Sequence, residues 1–163
     1  MTNSLPLLFR THDRFTDAAL LVLRLAMGIV MFPHGAQKVL GWFGGYGFGP
    51  TMQFFTTTMH VPPFFAVLAI LAEFAGSIFL IFGVLTRLSA LAISVNMLVA
   101  VVMIHHANGF FMNWTGQQKG EGIEYFIYAL AVGIILIIAG PGRYSVDAFI
   151  ANVLHRKSAS GLR

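Results

Sequence analysis

Arg24, His34, Glu73 and His105 fall within stretches that are otherwise apolar enough to cross a membrane, and Lys38 lies at the edge of one. A charge at bilayer depth costs roughly 2.5–3.5 kcal/mol on insertion scales, so such residues are kept where they pair or act. Imidazoles, an ammonium and a carboxylate gathered together have a defined repertoire. They can bind carbonyl oxygens, pass protons or hold an anion.

Their spacing places them on helix faces. Arg24, Gly28, Met31, Gly35 and Lys38 step by four, three, four and three, which is one stripe of a helix. His34 precedes Lys38 by four and shares its side. Glu73, Gly76, Leu80, Gly83 and Arg87 step by three, four, three and four and form a second stripe. The glycines permit close helix approach. Two such stripes facing each other would make a polar seam inside a bundle. At a rise of about 1.5 Å per residue, His34 lies roughly 9 Å and Glu73 roughly 13 Å below the outer ends of their spans. His105, His106, Glu121 and Glu124 fall at the outer ends of the later spans, so polar groups from all four collect in the outer half. Arg24 lies in the inner half, within snorkelling reach of the surface.

Each residue also has a structural reading. Arg24 can snorkel or bind a backbone carbonyl, and Glu73 can close an ion pair with Lys38 or a histidine. His106 points about 100° away from His105, so the two cannot both face one site. Glu124 begins a helix, where the dipole favours a carboxylate. The glycine pairs read first as packing. No HExxH, CxxCH or Glu-x-x-His repeat occurs, so no metal is assigned. No flavin or nucleotide motif is seen; the glycine-rich GWFGGYGFG lies in a loop, not between a strand and a helix.

The elements that hold these residues emerge from composition. Of 163 residues, 57% are hydrophobic and 10% charged, against about 25% charged in soluble domains. That is the composition of an integral membrane protein. Sixteen phenylalanines add to its apolar character. The chain has no cysteine, which excludes disulfides, thiolate nucleophiles and iron–sulfur ligation. Electrons for any redox chemistry must then come from a bound organic group or a partner. The net charge of +4 lies mostly near the two ends of the chain and reads as membrane topology, with no nucleic-acid partner.

Four spans are expected: Ala18–Leu40, Phe64–Leu85, Leu88–Ala107 and Ile123–Gly140. Only Thr86-Arg87 separates the middle two, which predicts a tight helical hairpin. Arg10, Arg14, Arg87, Arg143, Arg156, Lys157 and Arg163 fall on one side, and only Lys119 on the other. Both termini are therefore expected in the cytoplasm of a bacterial cell, with the protein multi-pass in its inner membrane. The first apolar run has full spanning length and no cleavage pattern after it, so it reads as retained. Residues 1–17 read as an N-terminal tail, 18–147 as the membrane domain and 148–163 as a C-terminal tail. Val146, Phe149, Ile150, Val153 and Leu154 give that tail an amphipathic beginning, and Ser158–Arg163 is expected to be unstructured. The first outer connection carries Trp42, Phe43, Tyr46 and Phe48, suited to the aromatic belt, then an interfacial or re-entrant helix over Thr51–His60. The second, near Asn108–Gly122, has the same character, and both could cover one mouth of the bundle.

Several segments in order resemble the DoxX family of small four-span membrane proteins. They are HGAQKVLGWFGGYG at His34–Gly47, AEFAG at Ala72–Gly76, FGVLTR at Phe82–Arg87, NGFF at Asn108–Phe111, GIEYFIYAL at Gly122–Leu130 and GPGRYSVD at Gly140–Asp147. The resemblance spans about Leu20–Asp147. It implies an all-α four-helix transmembrane bundle, with His34, Lys38, Glu73, Asn108 and Glu124 at motif positions. Some relatives look like membrane subunits of quinone-linked oxidoreductases, including a thiosulfate:quinone type. Others are tied to oxidative stress or quinone detoxification.

The residues and the resemblance support two readings of function. In the first, the protein is a quinone-interacting subunit of a membrane oxidoreductase that needs a soluble or membrane redox partner. His34 and Lys38 bind the ring carbonyls and Glu73 passes protons; these three form the catalytic set. His105 and Glu124 complete a route outward, Asn108 joins as a ligand-binding position, and Trp42, Phe43 and Phe110 pack the ring. In the second, the protein is a non-enzymatic binding, carrier or assembly protein for a lipid-like or small acidic molecule, and the same cluster is its pocket, with Lys38 and Arg24 attracting an anion. Membrane lipids are partners in either case, and homo-oligomers are left open.

Overall fold

The structure is a computed structural model and describes residues 14–160. Six α-helices occur among the described residues. Helix α1 spans Arg14–Val39, α2 Phe48–Gln53, α3 Pro63–Phe82, α4 Thr86–Ala100, α5 Glu124–Ala139 and α6 Val146–Ser160. Of these, α1, α3, α4 and α5 are the apolar ones. No strand occurs among the described residues. Pro62 and Pro63 open α3, where a missing N–H costs nothing. Gly83, at φ 69°, closes it in the left-handed conformation that glycine takes without strain.

Two π-helical turns interrupt the regular pattern. One comes after α2 over Phe54–Thr58, and the other extends α4 over Val101–His105 before a short 3₁₀ turn at His106–Asn108. Counted through that extension, Thr86–Asn108 is one of three helices long and apolar enough to cross a membrane; the others are Arg14–Val39 and Pro63–Phe82. Helix α5 is apolar but shorter, at 16 residues.

Helices α1, α3, α4 and α5 run alternately up and down. The start of α1, the α3–α4 turn and the end of α5 meet at one end, here the termini end. There the Asp17 carboxylate accepts from the Arg143 amide at 2.9 Å, and that of Asp147 accepts from the Leu85 and Thr86 amides at 2.8 and 2.9 Å. The long connections Leu40–Pro62 and Gly109–Ile123 sit at the other, the loop end. The most extensive helix contacts are, in order, α1 with α3, α4 with α5 and α3 with α4. The glycine stripe of α1 makes the first contact close: a Cβ on Gly35 would fall 2.5 Å from the Phe74 backbone. The core is Leu20, Met27, Met31, Leu80, Ile93, Met97, Phe126 and Leu136.

Sequence expectation and structure differ at the edges. Helix α1 begins at Arg14, so Arg14–Asp17 are helical and Asp17 is buried. The remainder of the expected N-terminal tail, residues 1–13, lies outside the described residues, as do 161–163. The hairpin turn is made by Gly83–Leu85, while Thr86 and Arg87 already belong to α4. The cause is Asp147, whose carboxylate caps α4 from another helix and holds Leu85 at φ 45°. Helix α6 runs on through Ser158–Ser160, expected as unstructured, because no breaker occurs before Gly161. The short helix expected from Thr51 starts earlier, at Phe48, and its second half is π-helical.

Candidate functional site

The two stripes meet in part: their polar side chains Lys38 and Glu73 join, but Gly76 faces Ile93 of α4, and Gly83 and Arg87 lie beyond the end of α3, which Gly83 closes. Lys38, in the last turn of α1, reaches across to α3, where its Nζ donates to Glu73 Oε2 and, at 3.4 Å, to the His34 carbonyl. The second carboxylate oxygen is held from α4: Asn96 Nδ2 donates to Glu73 Oε1 at 2.8 Å. Glu73 is only 6% exposed and lies roughly 15 Å inside the loop end by helical rise. A carboxylate at that depth is tolerable because a cation and an amide take one oxygen each. The triad thus ties α1, α3 and α4 together and carries no net charge.

A cavity of about 1400 Å³ opens beside this triad. His34, Lys38, Glu73 and Asn96 form its polar part, and the apolar faces of α3 and α4 form the rest. Leu68, Leu71, Leu91, Val95 and Val99 line it yet are themselves exposed, so the cavity opens on the outside of the bundle between these two helices. Phe54 and Phe55, from the first π-turn, also line it.

The second π-turn places His105. A π-turn inserts an extra residue into the helical ladder and reorients the side chains beyond it. Here it sets the His105 ring against Phe126 of α5, with centroids 4.4 Å apart, and brings Nδ1 within 2.8 Å of the Glu121 carbonyl. His105 and Tyr125 both line the cavity. His106 points elsewhere and is exposed.

The cavity therefore gathers Glu73, His34, Lys38 and His105, and leaves the other expected site residues outside it. Arg24 is wholly buried toward the termini end, where its guanidinium donates to the Leu80 carbonyl at 3.3 Å and to that of Tyr144. It joins α1 to α3 and to the segment before α6. Trp42 and Phe43 stack edge to face on each other and are exposed at the loop end. Phe110 is half exposed beside Phe111. Asn108 donates to the Glu121 carbonyl at 3.0 Å, and Glu124 accepts from the Met112 amide at 3.2 Å, so both shape the second connection.

Asn96 and Tyr125 complete the site and were not singled out from sequence. Asn96 is a lone amide in a span that otherwise reads as apolar, and its depth is close to that of Glu73. That was a usable signal. Tyr125 looks like an interfacial aromatic and offers none. Among the described residues no three His, Asp or Glu side chains are grouped to hold a metal ion.

Comparison with known proteins finds one family and several relatives. The DoxX family model matches residues 19–106. "Inner membrane protein YqjF" of Escherichia coli is 29% identical over 140 residues, which are 84% of this chain and 95% of that protein. An uncharacterized protein of Haemophilus influenzae is 31% identical over 145 residues, covering 88% of this chain and 90% of its own length. "Putative oxidoreductase CatD" of Bacillus subtilis is 26% identical over 130 residues, 80% and 85% of the two chains. No solved structure matches the chain.

Proposed function

The chain belongs to the DoxX family of membrane proteins, and on that premise we propose that it binds a quinone in the cavity between α3 and α4 as a subunit of a membrane oxidoreductase. The observation that carries this reading is the shape and polarity of the cavity. It is open to the side, where an isoprenoid tail enters from lipid, and ends on the neutral Lys38–Glu73–Asn96 triad. A bound quinone supplies two-electron, two-proton redox chemistry. The protein's own part is to seat the ring and manage its hydrogen bonds. His34 and Tyr125 donate to ring oxygens, and Glu73 takes up or releases a proton while Lys38 holds its charge. The apolar walls keep bulk water from the ring. Electrons come from a redox partner, since the chain has no cysteine to ligate an iron–sulfur cluster or form a redox disulfide.

The acidic-ligand form of the alternative depended on free cations. Lys38 is engaged by Glu73, and Arg24 by two carbonyls far from the cavity, which favours a neutral head group over an anion. The name of the Bacillus subtilis relative points toward oxidoreduction as well.

In the membrane, α1, α3, α4 with its extension, and α5 make four spans, and α2 with its π-turn lies at the interface. The lysines and arginines favour both termini in the cytoplasm and the cavity in the outer half of the inner membrane. A photoreactive quinone analogue tests the site. It should label α3 and α4 facing the cavity, with labelling suppressed by excess unmodified quinone. Labelling spread evenly over the lipid-facing surface would refute the assignment.

A further inference from the structure

The hydrogen bond that holds the His105 ring also decides which of its nitrogens is left for a ligand. Nδ1 lies 2.8 Å from the Glu121 carbonyl oxygen. A carbonyl oxygen only accepts, so Nδ1 carries hydrogen, and the neutral ring keeps Nε2 as a bare acceptor. Phe126, with its centroid 4.4 Å away, fixes the ring plane. No described hydrogen bond uses Nε2, and the ring forms part of the cavity wall. The amide of Asn96 and the ammonium of Lys38 are turned toward Glu73, so neither is committed to His105.

An acceptor in the wall discriminates between the two oxidation states of a quinone, whereas a donor does not. The hydroxyl of Tyr125 can donate to a quinone carbonyl and equally to a hydroquinone oxygen, which still has lone pairs. Nε2 receives a hydrogen bond only from a ligand hydroxyl. Against a carbonyl it meets lone pair with lone pair and loses its hydration without replacement.

We propose that the cavity selects the reduced, hydroxylic form of the ring, with one hydroquinone hydroxyl donating to His105 Nε2. This rests on the quinone reading and specifies which form the resting site prefers. His105 is then a specificity residue, and its π-turn is the device that aims it. Because tighter binding of one form shifts the couple, the bound ring is also held at a higher potential than the free one.

The test is equilibrium binding of decylubiquinol and decylubiquinone to the full chain in lipid nanodiscs without oxygen. The reduced form should bind about tenfold more tightly, the worth of one hydrogen bond made against one acceptor left unmet. For a two-electron couple that is about 30 mV, which redox titration of the bound ring reads independently. His105→Phe keeps a ring against Phe126 and should bring the two affinities together. His105→Gln, whose amide oxygen can accept, should restore part of the difference. Equal affinities, or preference for the oxidised form, in the unmodified protein would overturn the inference while leaving the quinone reading intact. Binding of neither form would overturn that reading and the inference with it.

Discussion

Removing the carboxylate of Glu73 tests whether the triad is one coupled unit. Glu73→Gln retains an oxygen for Asn96 but leaves the Lys38 ammonium without its counter-charge. The Lys38 side chain is 24% exposed and that of Glu73 8%, so the pair is largely desolvated. Breaking a buried pair from one side costs about 3–5 kcal/mol. Lys38 lies in the last turn of α1 and can turn toward the interface, which lowers the expected loss to about 1–3 kcal/mol. For a chain of this size that is about 2–4 °C in Tm for each kcal/mol. Lys38→Met should cost a similar amount, because it strands the carboxylate. The double variant should lose less than the sum of the two by about 1 kcal/mol or more, since no uncompensated charge remains. Thermal unfolding of the four proteins in one mild detergent supplies the cycle. Single losses that simply add would show that Lys38 and Glu73 do not interact, and the neutral polar end of the cavity would go with them.

Other perturbations separate scaffold from site. Arg24→Met should lower stability by about 2–4 kcal/mol in thermal melts, as two carbonyls lose their donor, while quinone content per folded chain stays unchanged; loss of quinone without loss of stability would put Arg24 back in the site. Asp147→Ala should cost about 1–2 kcal/mol and speed hydrogen exchange at the Leu85 and Thr86 amides, whose acceptors it removes; unchanged exchange there would contradict the cross-helix cap. Gly35→Ala should disrupt the α1–α3 contact by about 1–3 kcal/mol or more, because the added methyl meets backbone and not a movable side chain; wild-type Tm would contradict that packing.

How far the sequence reached depended on whether the determining interaction was local. The apolar runs and their Gly and Pro breakers place α3 and α5 within a few residues, since membrane spans need length and little else. The glycine-bearing stripe of α1 was legible as well, because helical spacing alone defines a face, whereas that of α3 held only as far as Leu80, since the helix ends before Gly83 and Arg87. The features that were not legible came from residues far apart in the chain. Nothing near Leu85 tells that Asp147 will cap α4 and shift the hairpin turn. Nothing around Val101 announces a π-turn, yet that turn sets the His105 ring against Phe126 and Glu121. Arg24 could be read as ligand or scaffold until its carbonyl partners on Leu80 and Tyr144 were placed. Trp42, Phe43 and Phe110 had the right chemistry for packing a ring, but their loops hold them at the surface.

Quinone occupancy of the cavity beside the triad underlies the proposed function. Its most direct test is mass spectrometry of lipids retained by the protein purified gently from native membranes, compared with Ala72→Trp, whose indole would fill the cavity wall. About one quinone per chain should be retained by the unmodified protein, as expected for a single bound ring in this cavity, and little by the filled variant. Quinone present only in the proportion found in bulk lipid, or retained equally by both proteins, would contradict that occupancy.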